Sequence, residues 1–291
     1  MKNLYIEELN KNNILSSYNF ARNCEIVYAE NISTDEYKDI QNSKHRIYFN
    51  SPSMTTYKQT DFTLNENDII FCNTDFLPNL FSDLRKISKL KNLILLTNQT
   101  DEMITKRIYN KKPSCISKWY SINVEYDVES LVPIPYGLSN EYSPKNPDGD
   151  AFLNLYKKDI KKKDIKLYMN FQENTNLKER RKIYDYFKNE DWVVTNEPNL
   201  DIASYLEKLN QYKFVLCPWG NGFETHRFWE TLYSGSVPVL RYHQSYDSSK
   251  DLPVLFVDDY EDINLEMLIT FSNNIEKNNY NFEKLYMSYW K

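Results

Sequence analysis

Short apolar runs alternate with stretches of helical periodicity along most of the chain. Such alternation predicts α/β units whose strands form mainly parallel sheets. In the first half, the pattern predicts strands over residues 25–29, 46–50, 68–73, 91–98 and 131–136, and helices over 76–90 and 100–109. In the second half, it predicts strands over 165–170, 192–195, 213–217, 237–241 and 254–257, and helices over 178–188, 202–209, 225–234 and 262–276.

A segment of turn-forming residues separates the two halves. Residues 143–150 read Ser-Pro-Lys-Asn-Pro-Asp-Gly-Asp. Two prolines and an Asp-Gly pair cannot continue a helix or a central strand, so the segment predicts a hinge between two domains. Near the end of the chain, Phe282, Leu285, Tyr286 and Tyr289 recur at helical spacing. This amphipathic tail must pack on another part of the protein.

Composition excludes several classes of function. Of the 291 residues, 41% are apolar and 26% charged, and the formal net charge is −5. The acidic balance argues against nucleic-acid binding, and the Lys-rich run 157–166 is read as a solvated loop. No run reaches the roughly 18 apolar residues of a membrane span, and Glu7 and Glu8 stand where a signal peptide would be apolar. We expect a cytoplasmic protein without a transmembrane segment, for which peripheral association with a membrane stays open.

The cysteines indicate no covalent or metal-bound framework. Cys24, Cys72, Cys115 and Cys217 lie far apart, without a Cys-x-x-Cys pair. Neither a zinc knuckle nor a set of disulfides is therefore indicated. We expect the four thiols to be reduced and mostly buried.

Candidate chemistry concentrates where the chain places its few glycines. Of only five glycines, Gly220, Gly222 and Gly235 fall within one short span. Residues 213–240 predict a buried strand, a Gly-Asn-Gly loop, a helix with Thr225 as N-cap, a stop at Gly235 and a second strand. Loop amides and a helix N-terminus at the carboxyl end of a strand form a ready site for an anion.

Two charged residues of this helix fit the parts of a nucleotide diphosphate. Arg227 lies in the first turn, and its guanidinium can fork onto a diphosphate. Glu230 lies one turn later, where a carboxylate can accept hydrogen bonds from two ribose hydroxyls. A surface ion pair between Arg227 and Glu230 is the alternative interpretation.

The same span resembles the donor-binding motif of exostosin-like glycosyltransferases. In that motif a strand, a Pro-x-Gly loop, an Arg-x-x-Glu helix and a Gly-x-x-Pro-Val strand follow in this order. Here Pro218, Gly220, Arg227, Glu230 and Gly235 take those places. Looser similarity covers residues 167–181 and 118–138.

The resemblance implies a GT-B fold, in which two Rossmann-like domains face one cleft. The acceptor would bind the N-terminal domain, residues 1–145. The donor, a nucleotide-diphosphate sugar and more often a UDP-sugar, would bind the C-terminal domain, residues 146–275. A last helix, residues 276–291, would cross back to the N-terminal domain.

The resemblance also assigns donor-binding roles by position. Arg227 would hold the diphosphate and Glu230 the ribose. The residues that would line the phosphate loop are Gly220, Asn221, Gly222, Thr225 and His226. Asn170 and Arg180 would reach the donor from the neighbouring strand and helix. Phe171, Tyr242 or His243 would flank the nucleobase, with plain core or surface packing as the alternative for each.

Catalysis of sugar transfer needs charge stabilisation on the leaving group and, for inversion, a general base at the acceptor hydroxyl. Retaining GT-B enzymes often carry two glutamates eight positions apart in this helix region, and the position eight before Glu230 is Gly222. We therefore expect inversion. Asp75 and Asp101 are the candidate bases, because each follows a predicted strand of the N-terminal half. Helix N-capping is the alternative for both.

The remaining expectations concern the acceptor, metals and other functions. Trp119 is a candidate platform for a glycan acceptor, with core packing as the alternative. Asp148 and Asp150 spell the Asp-x-Asp of metal-dependent GT-A transferases, but their place in the hinge favours a turn. We expect no metal and no cofactor beyond the donor substrate. A non-catalytic nucleotide-sugar or glycan-binding protein, a sugar epimerase, or a fucosyltransferase using a GDP-sugar could carry the same loop.

Overall fold

The computed structural model describes residues 9–87, 89–143, 145–155 and 162–291. The acidic N-terminus at residues 1–8, residues 157–161 of the Lys-rich run and Pro144 of the predicted hinge lie outside these ranges. The last residues of the Lys-rich run, predicted as a solvated loop, begin a strand instead. The described strands form two sheets, one in each half of the chain.

The first half forms a seven-stranded sheet. Its elements are α1 (Ser17–Arg22), β1 (Ile26–Ser33), α2 (Thr34–Ile40), β2 (His45–Asn50), β3 (Met54–Gln59), β4 (Ile69–Asn73), α3 (Leu77–Leu84), β5 (Leu93–Asn98), α4 (Lys106–Tyr109), β6 (Ile116–Ser121) and β7 (Leu131–Pro133). The strand order is β2-β3-β1-β4-β5-β6-β7. Strands β1 and β4 to β7 run parallel, whereas β2 and β3 extend one edge antiparallel.

The second half forms a five-stranded, fully parallel sheet. Its elements are α5 (Gly149–Leu155), β8 (Asp164–Met169), α6 (Leu177–Phe187), β9 (Val193–Thr195), α7 (Ile202–Gln211), β10 (Tyr212–Leu216), α8 (His226–Tyr233), β11 (Val237–Arg241), β12 (Leu255–Val257) and α9 (Leu265–Asn274). The strand order is β12-β11-β10-β8-β9. The predicted strands and helices of this half are confirmed, with bounds shifted by a few residues.

The two halves share a hydrophobic core between their sheets. Phe71 and Leu96 of the first sheet belong to the same buried cluster as Tyr168 and Val215 of the second sheet and Trp229 of α8. Separate clusters fill the outer face of each sheet. The two halves therefore pack firmly together, in contact over more than a thin linker.

The segment predicted as a turn begins a short helix instead. The side chain of Asp148 accepts a hydrogen bond from the Ala151 amide at 3.0 Å, and α5 starts at Gly149. Phe152 is fully buried and its ring centroid lies 6.1 Å from that of Tyr233. The turn prediction for Asp148–Asp150 is wrong beyond Asp148, because an aspartate N-cap and one buried aromatic are enough to stabilise a helix that packs on α8.

The C-terminal tail does return to the N-terminal half, but not as one helix. It forms two 3₁₀ turns, Phe282–Leu285 and Met287–Trp290. The Met287 amide donates to the Asn13 carbonyl oxygen at 2.8 Å. Tyr286 between the turns has extended backbone and bridges to Ile14, and this pairing interrupts the predicted helix.

A mainly parallel sheet, a fully parallel sheet, an inner core between them and a returning C-terminal segment form the GT-B architecture. None of the helices in the described ranges has the length and apolarity that crossing a bilayer requires. All four cysteines are free, with three buried and Cys24 half-buried. The predictions of fold class and unpaired thiols are confirmed.

Candidate functional site

The candidate site lies at the carboxyl edge of the second sheet, where the strand order reverses between β8 and β10. In open α/β sheets, such a reversal leaves a crevice between the loops that follow the two strands. Asn170 follows β8, and Arg227 lies in the first turn of α8. Nη2 of Arg227 is 3.4 Å from Oδ1 of Asn170. The fold thus brings together two residues that the sequence predicts as donor-binding.

Helix α8 is placed by its apolar face. Phe228, Trp229, Leu232 and Tyr233 are buried against the inner core. Gly235 ends the helix with a φ of +71°, the left-handed conformation that glycine adopts at little cost. Because the apolar face fixes the rotation of the helix, Arg227 is held at the crevice.

Arg227 has no acidic partner in the part of the chain that the structure describes. Its Nε makes no hydrogen bond, and its guanidinium carbon lies 5.9 Å from the ring centroid of Tyr205. Burial opposes the charge, but Tyr205 and Glu230 nearby raise the pKa of Arg227 above its usual value. The guanidinium is therefore a permanent cation with hydrogen-bonding capacity left for a ligand.

Glu230 is buried beneath Arg227 rather than paired with it at the surface. Only 4% of the residue is exposed, and its Oε2 accepts a hydrogen bond from the Tyr205 hydroxyl at 2.7 Å. Burial raises the pKa of Glu230, while the charge of Arg227 opposes this rise. The surface ion pair considered as the alternative is wrong. A contact of Glu230 with ribose stays a prediction.

Arg180 holds the loops of the site together. The residue is 4% exposed. Its guanidinium donates to the carbonyl oxygens of Gln172 at 2.8 Å, Trp219 at 2.8 Å and Pro218 at 2.9 Å, and to Oγ1 of Thr175 at 2.5 Å. These bonds use four of the five N–H groups of Arg180, and its direct contact with the donor stays a prediction. Its role is to position the loops after β8 and β10.

The Gly-Asn-Gly loop is partly covered by the N-terminal half. Gly222 is buried, and a Cβ at this position would lie 2.6 Å from Nδ2 of Asn123. The Gly220 amide is used within the loop, donating to the Gly222 carbonyl oxygen at 3.0 Å. Asn221 remains exposed and donates to Oδ2 of Asp101 at 3.1 Å. The loop therefore joins the two halves, and its contact with the donor stays a prediction.

Unsatisfied polar atoms surround the crevice. Thr225 occupies the N-cap position of α8, but its hydroxyl does not cap the helix and Oγ1 is buried without a partner. The Tyr168 hydroxyl and Oδ1 of Asn196 also lack one. Buried polar atoms without hydrogen bonds are rare in folded proteins. Their position around Asn170 and Arg227 fits a ligand rich in oxygen atoms.

The second half has a recognisable relative. Residues 155–281 match the RXYLT1 C-terminal domain family. The match covers less than half of the chain and contains Asn170, Arg227 and Glu230. A comparison with curated proteins gives no match.

Two solved structures resemble the chain at low identity. One is a crystal structure of an alpha1,3-fucosyltransferase with GDP-fucose, with 15% identity, a TM-score of 0.34, and coverage of 72% of this chain and 66% of that one. The other is a crystal structure of an alpha1,3-fucosyltransferase, with 15% identity, a TM-score of 0.39, and coverage of 87% and 77%. The chain thus spans just under two thirds of the first of these structures. The family match is confined to the second half of the chain, and none of these comparisons singles out exostosin-like enzymes.

His226 faces the N-terminal half rather than a phosphate. Its ring stacks on Tyr136 with centroids 4.1 Å apart, and Nδ1 lies 2.8 Å from the Gly137 carbonyl oxygen. Burial lowers the pKa of His226, so the ring is neutral at neutral pH. Because a carbonyl oxygen only accepts, Nδ1 carries the proton. The predicted place of His226 in the phosphate loop is therefore wrong, and the residue joins the two halves.

The two candidate bases take different positions. Asp101 is exposed and contacts Asn221 of the Gly-Asn-Gly loop. Asp75 is also exposed, and it lines a cavity of about 570 Å³ between α3 and the segment that follows Asp101. Neither aspartate caps a helix, because Asn73 and Thr105 do so. Of the two aspartates, only Asp101 contacts the Gly-Asn-Gly loop.

Trp119 cannot be an acceptor platform. It is fully buried in the outer core of the first sheet, and its Nε1 donates to Oγ1 of Thr97 at 2.8 Å. Its place on β6, a strand that the apolar pattern misses, turns the indole under α3, where Phe81 packs on it edge-on at 5.7 Å. The core alternative is correct.

The sequence analysis does not identify Glu224 as a residue of interest, but the structure does. Its Oε1 accepts from the Tyr136 amide at 3.0 Å and from Nε1 of Trp229 at 2.9 Å, while Oε2 is buried without a partner. Its own amide donates to Oδ1 of Asn123 at 2.9 Å. Burial raises the pKa of Glu224 to about 8. Local signals do not reveal this residue, because two of its three partners, Tyr136 and Asn123, are distant in sequence.

Glu224 should make the stability of the protein depend on pH. Its folded pKa of about 8 lies above the ordinary value of 4.5, so the folded state binds the extra proton between these values. Its contribution is fully present below pH 4.5 and is lost as the pH rises towards 8, by up to a few kcal/mol. We expect Glu224→Gln, measured by thermal unfolding at pH 5 and pH 8.5, to lose less stability over this interval than the parent protein. Glu207→Gln, an exposed position of α7, is the control, and equal slopes for Glu224→Gln and the parent would contradict the prediction.

Proposed function

We propose that this protein is an inverting glycosyltransferase that moves a sugar from a nucleotide-diphosphate donor to a hydroxyl group of a glycan. One observation carries the proposal: at the switch point of a parallel sheet, Arg227 is held by α8 without an acidic partner among the described residues. A diphosphate matches its charge and its forked geometry. The N-terminal end of α8 adds a second attraction for an anion.

The leaving group would gain its stabilisation from Arg227 and the first turn of α8. As the bond between sugar and phosphate breaks, negative charge grows on the diphosphate. Asn170, Thr225 and the Tyr168 hydroxyl supply hydrogen-bonding atoms around the same crevice. We predict no metal requirement, because Arg227, the first turn of α8 and these hydrogen-bonding groups would stabilise all of the negative charge on the leaving diphosphate. Activity in the presence of EDTA checks this assignment.

The acceptor would enter along the first sheet. The cavity beside Asp75 is lined by apolar Leu77 and Phe81 and by charged residues. Such a mixture suits a sugar, which has apolar and polar faces. Asp101, next to the donor loop, is proposed as the general base that removes the proton from the attacking hydroxyl. We place this reaction in the cytoplasm.

The resemblance favours a UDP-sugar, and the alternative is a GDP-sugar such as GDP-fucose. A thermal-shift panel of UDP, GDP and their sugars, followed by measurement of nucleotide diphosphate released with a glycan acceptor, tests the function. We expect stabilisation by one nucleotide class and release that depends on acceptor. Binding without release would favour a non-catalytic nucleotide-sugar-binding protein, and no binding of any nucleotide would refute the proposal.

A further inference from the structure

A second cavity lies along α6, between this helix and the residues at the carboxyl ends of β11 and β12. Its volume is about 320 Å³, at the lower end of the range for small-molecule pockets. The residues that shape it include Glu179, Ile183, Phe187, Arg241, Tyr260 and Glu261. It opens on the same edge of the second sheet as the crevice of Arg227.

Three buried polar atoms on the wall of this cavity keep hydrogen-bonding capacity for a ligand. They are Oε1 of Glu179, Nε of Arg241 and the hydroxyl of Tyr260. Tyr260 is 4% exposed. The other oxygen of Glu179 pairs with Nη2 of Arg241 at 2.7 Å. The wall thus holds an ordered acid–base pair that keeps one acceptor and one donor for a further partner.

The cavity is connected to the crevice through Arg180. This residue follows Glu179 in α6 and donates to the carbonyl oxygens of Pro218 and Trp219. The guanidinium carbon of Arg241 lies 4.1 Å from the ring centroid of Trp219, whose Nε1 donates to the Arg241 carbonyl oxygen at 3.2 Å. Contacts through Arg180 and Trp219 therefore join the wall of the cavity to the loop that precedes α8.

The predicted neighbours of the nucleobase do not form this wall. Phe171 is 5% exposed and lies beneath Arg180, with the guanidinium carbon 5.6 Å from its ring centroid. His243 stacks on Phe223 with centroids 3.5 Å apart. Tyr242 is partly exposed, with its hydroxyl on Asp247. Plain packing is the correct interpretation of Phe171.

We propose that this cavity is the nucleobase subsite of the donor site and that it is built for guanine. The proposal rests on the proposed function, since it names the nucleotide of the same donor. The Watson–Crick edge of guanine carries one carbonyl oxygen beside two N–H groups. Nε of Arg241 would donate to that oxygen, and Glu179 and Tyr260 would accept from the two N–H groups.

The arrangement of hydrogen-bond donors and acceptors on the wall favours guanine over uracil. Burial raises the pKa of Glu179, and Arg241 and Tyr260 beside it oppose this rise. A hydroxyl next to a carboxylate turns its proton towards it and presents lone pairs outward. The wall then offers two acceptors and one donor. Uracil carries one N–H between two carbonyl oxygens, so its second carbonyl would meet an acceptor.

Isothermal titration of GDP and UDP into the parent protein and three variants tests this subsite. We expect GDP to bind at least about tenfold more tightly than UDP. Glu179→Gln and Tyr260→Phe should each lower the affinity for GDP by about tenfold and change the affinity for UDP by less than about twofold. Asp185→Asn, which removes a carboxylate from the exposed side of α6, should change neither.

Each other outcome overturns the subsite in a distinguishable way. Tighter binding of UDP would refute the guanine assignment while leaving the proposed function intact. GDP affinity unchanged in both cavity variants would place the base elsewhere. Absence of nucleotide binding in the parent protein would refute the proposed function and the subsite together. If Glu179→Gln does not fold, Tyr260→Phe decides, because it removes a single oxygen atom.

Discussion

Replacing Arg227 with glutamine lowers the affinity for nucleoside diphosphates by about a hundredfold, the effect expected when two charge-assisted hydrogen bonds to phosphate are lost. The loss applies equally to GDP and UDP, because both carry the same diphosphate. Arg227→Lys should recover only part of the affinity, since an ammonium group keeps the charge but lacks the fork. Isothermal titration at low ionic strength measures both variants.

The matched control is Arg181→Gln. Arg181 is an exposed arginine of α6 that pairs with Glu173 and Asp185, and its loss should leave nucleotide affinity unchanged. Thermal unfolding of each variant shows whether the fold survives the loss of the charge next to buried Glu230. An Arg227→Gln protein that folds and binds nucleotide like the parent would remove the basis of the proposed function.

Replacing Asp101 with asparagine lowers kcat by about 10² to 10⁴, the usual contribution of a general base. Donor affinity should change by less than about threefold, because the asparagine can still contact Asn221. The change preserves the size of the side chain and removes only its capacity to take a proton. Steady-state rates of nucleotide diphosphate release with saturating acceptor measure the effect.

Asp75→Asn is the matched comparison for the base. Both aspartates are exposed and follow strands of the first sheet, but only Asp101 contacts the Gly-Asn-Gly loop. We expect Asp75→Asn to raise KM for the acceptor more than it lowers kcat, as fits a residue on the wall of the acceptor cavity. A large loss of kcat in Asp75→Asn alone would transfer the catalytic role to Asp75.

The elements of the second half were accessible to sequence reasoning because its strands are buried on both faces. Such strands read as continuous apolar runs, as in Lys-Phe-Val-Leu of β10, and the helices between them are amphipathic. In the first half, the pattern misses β3 and β6. Strand β3 reads Met-Thr-Thr-Tyr-Lys-Gln, and its polar residues hide a strand that antiparallel pairing with β1 stabilises.

Some features of the candidate site were likewise predictable from local sequence, whereas others were not. The approach of Arg227 to Asn170 follows from local signals, since Asn170 stands directly after β8, Arg227 begins the helix that follows β10, and the two strands are neighbours. The capture of Arg180 by loop carbonyls, the burial of Trp119 and the environment of Glu224 depend on contacts between distant segments. No spacing rule reports which hydrogen-bond donors a fold has already occupied.

The sequence by itself determined the order of strands and helices in the second half and the place of Arg227 at the start of α8, because periodicity, capping and glycine conformation act over a few residues. Only the tertiary structure decided which polar groups are satisfied within the protein and which are left for a ligand. That distinction depends on the desolvation of each group and on the partners that packing brings to it, and both arise only when the two halves come together.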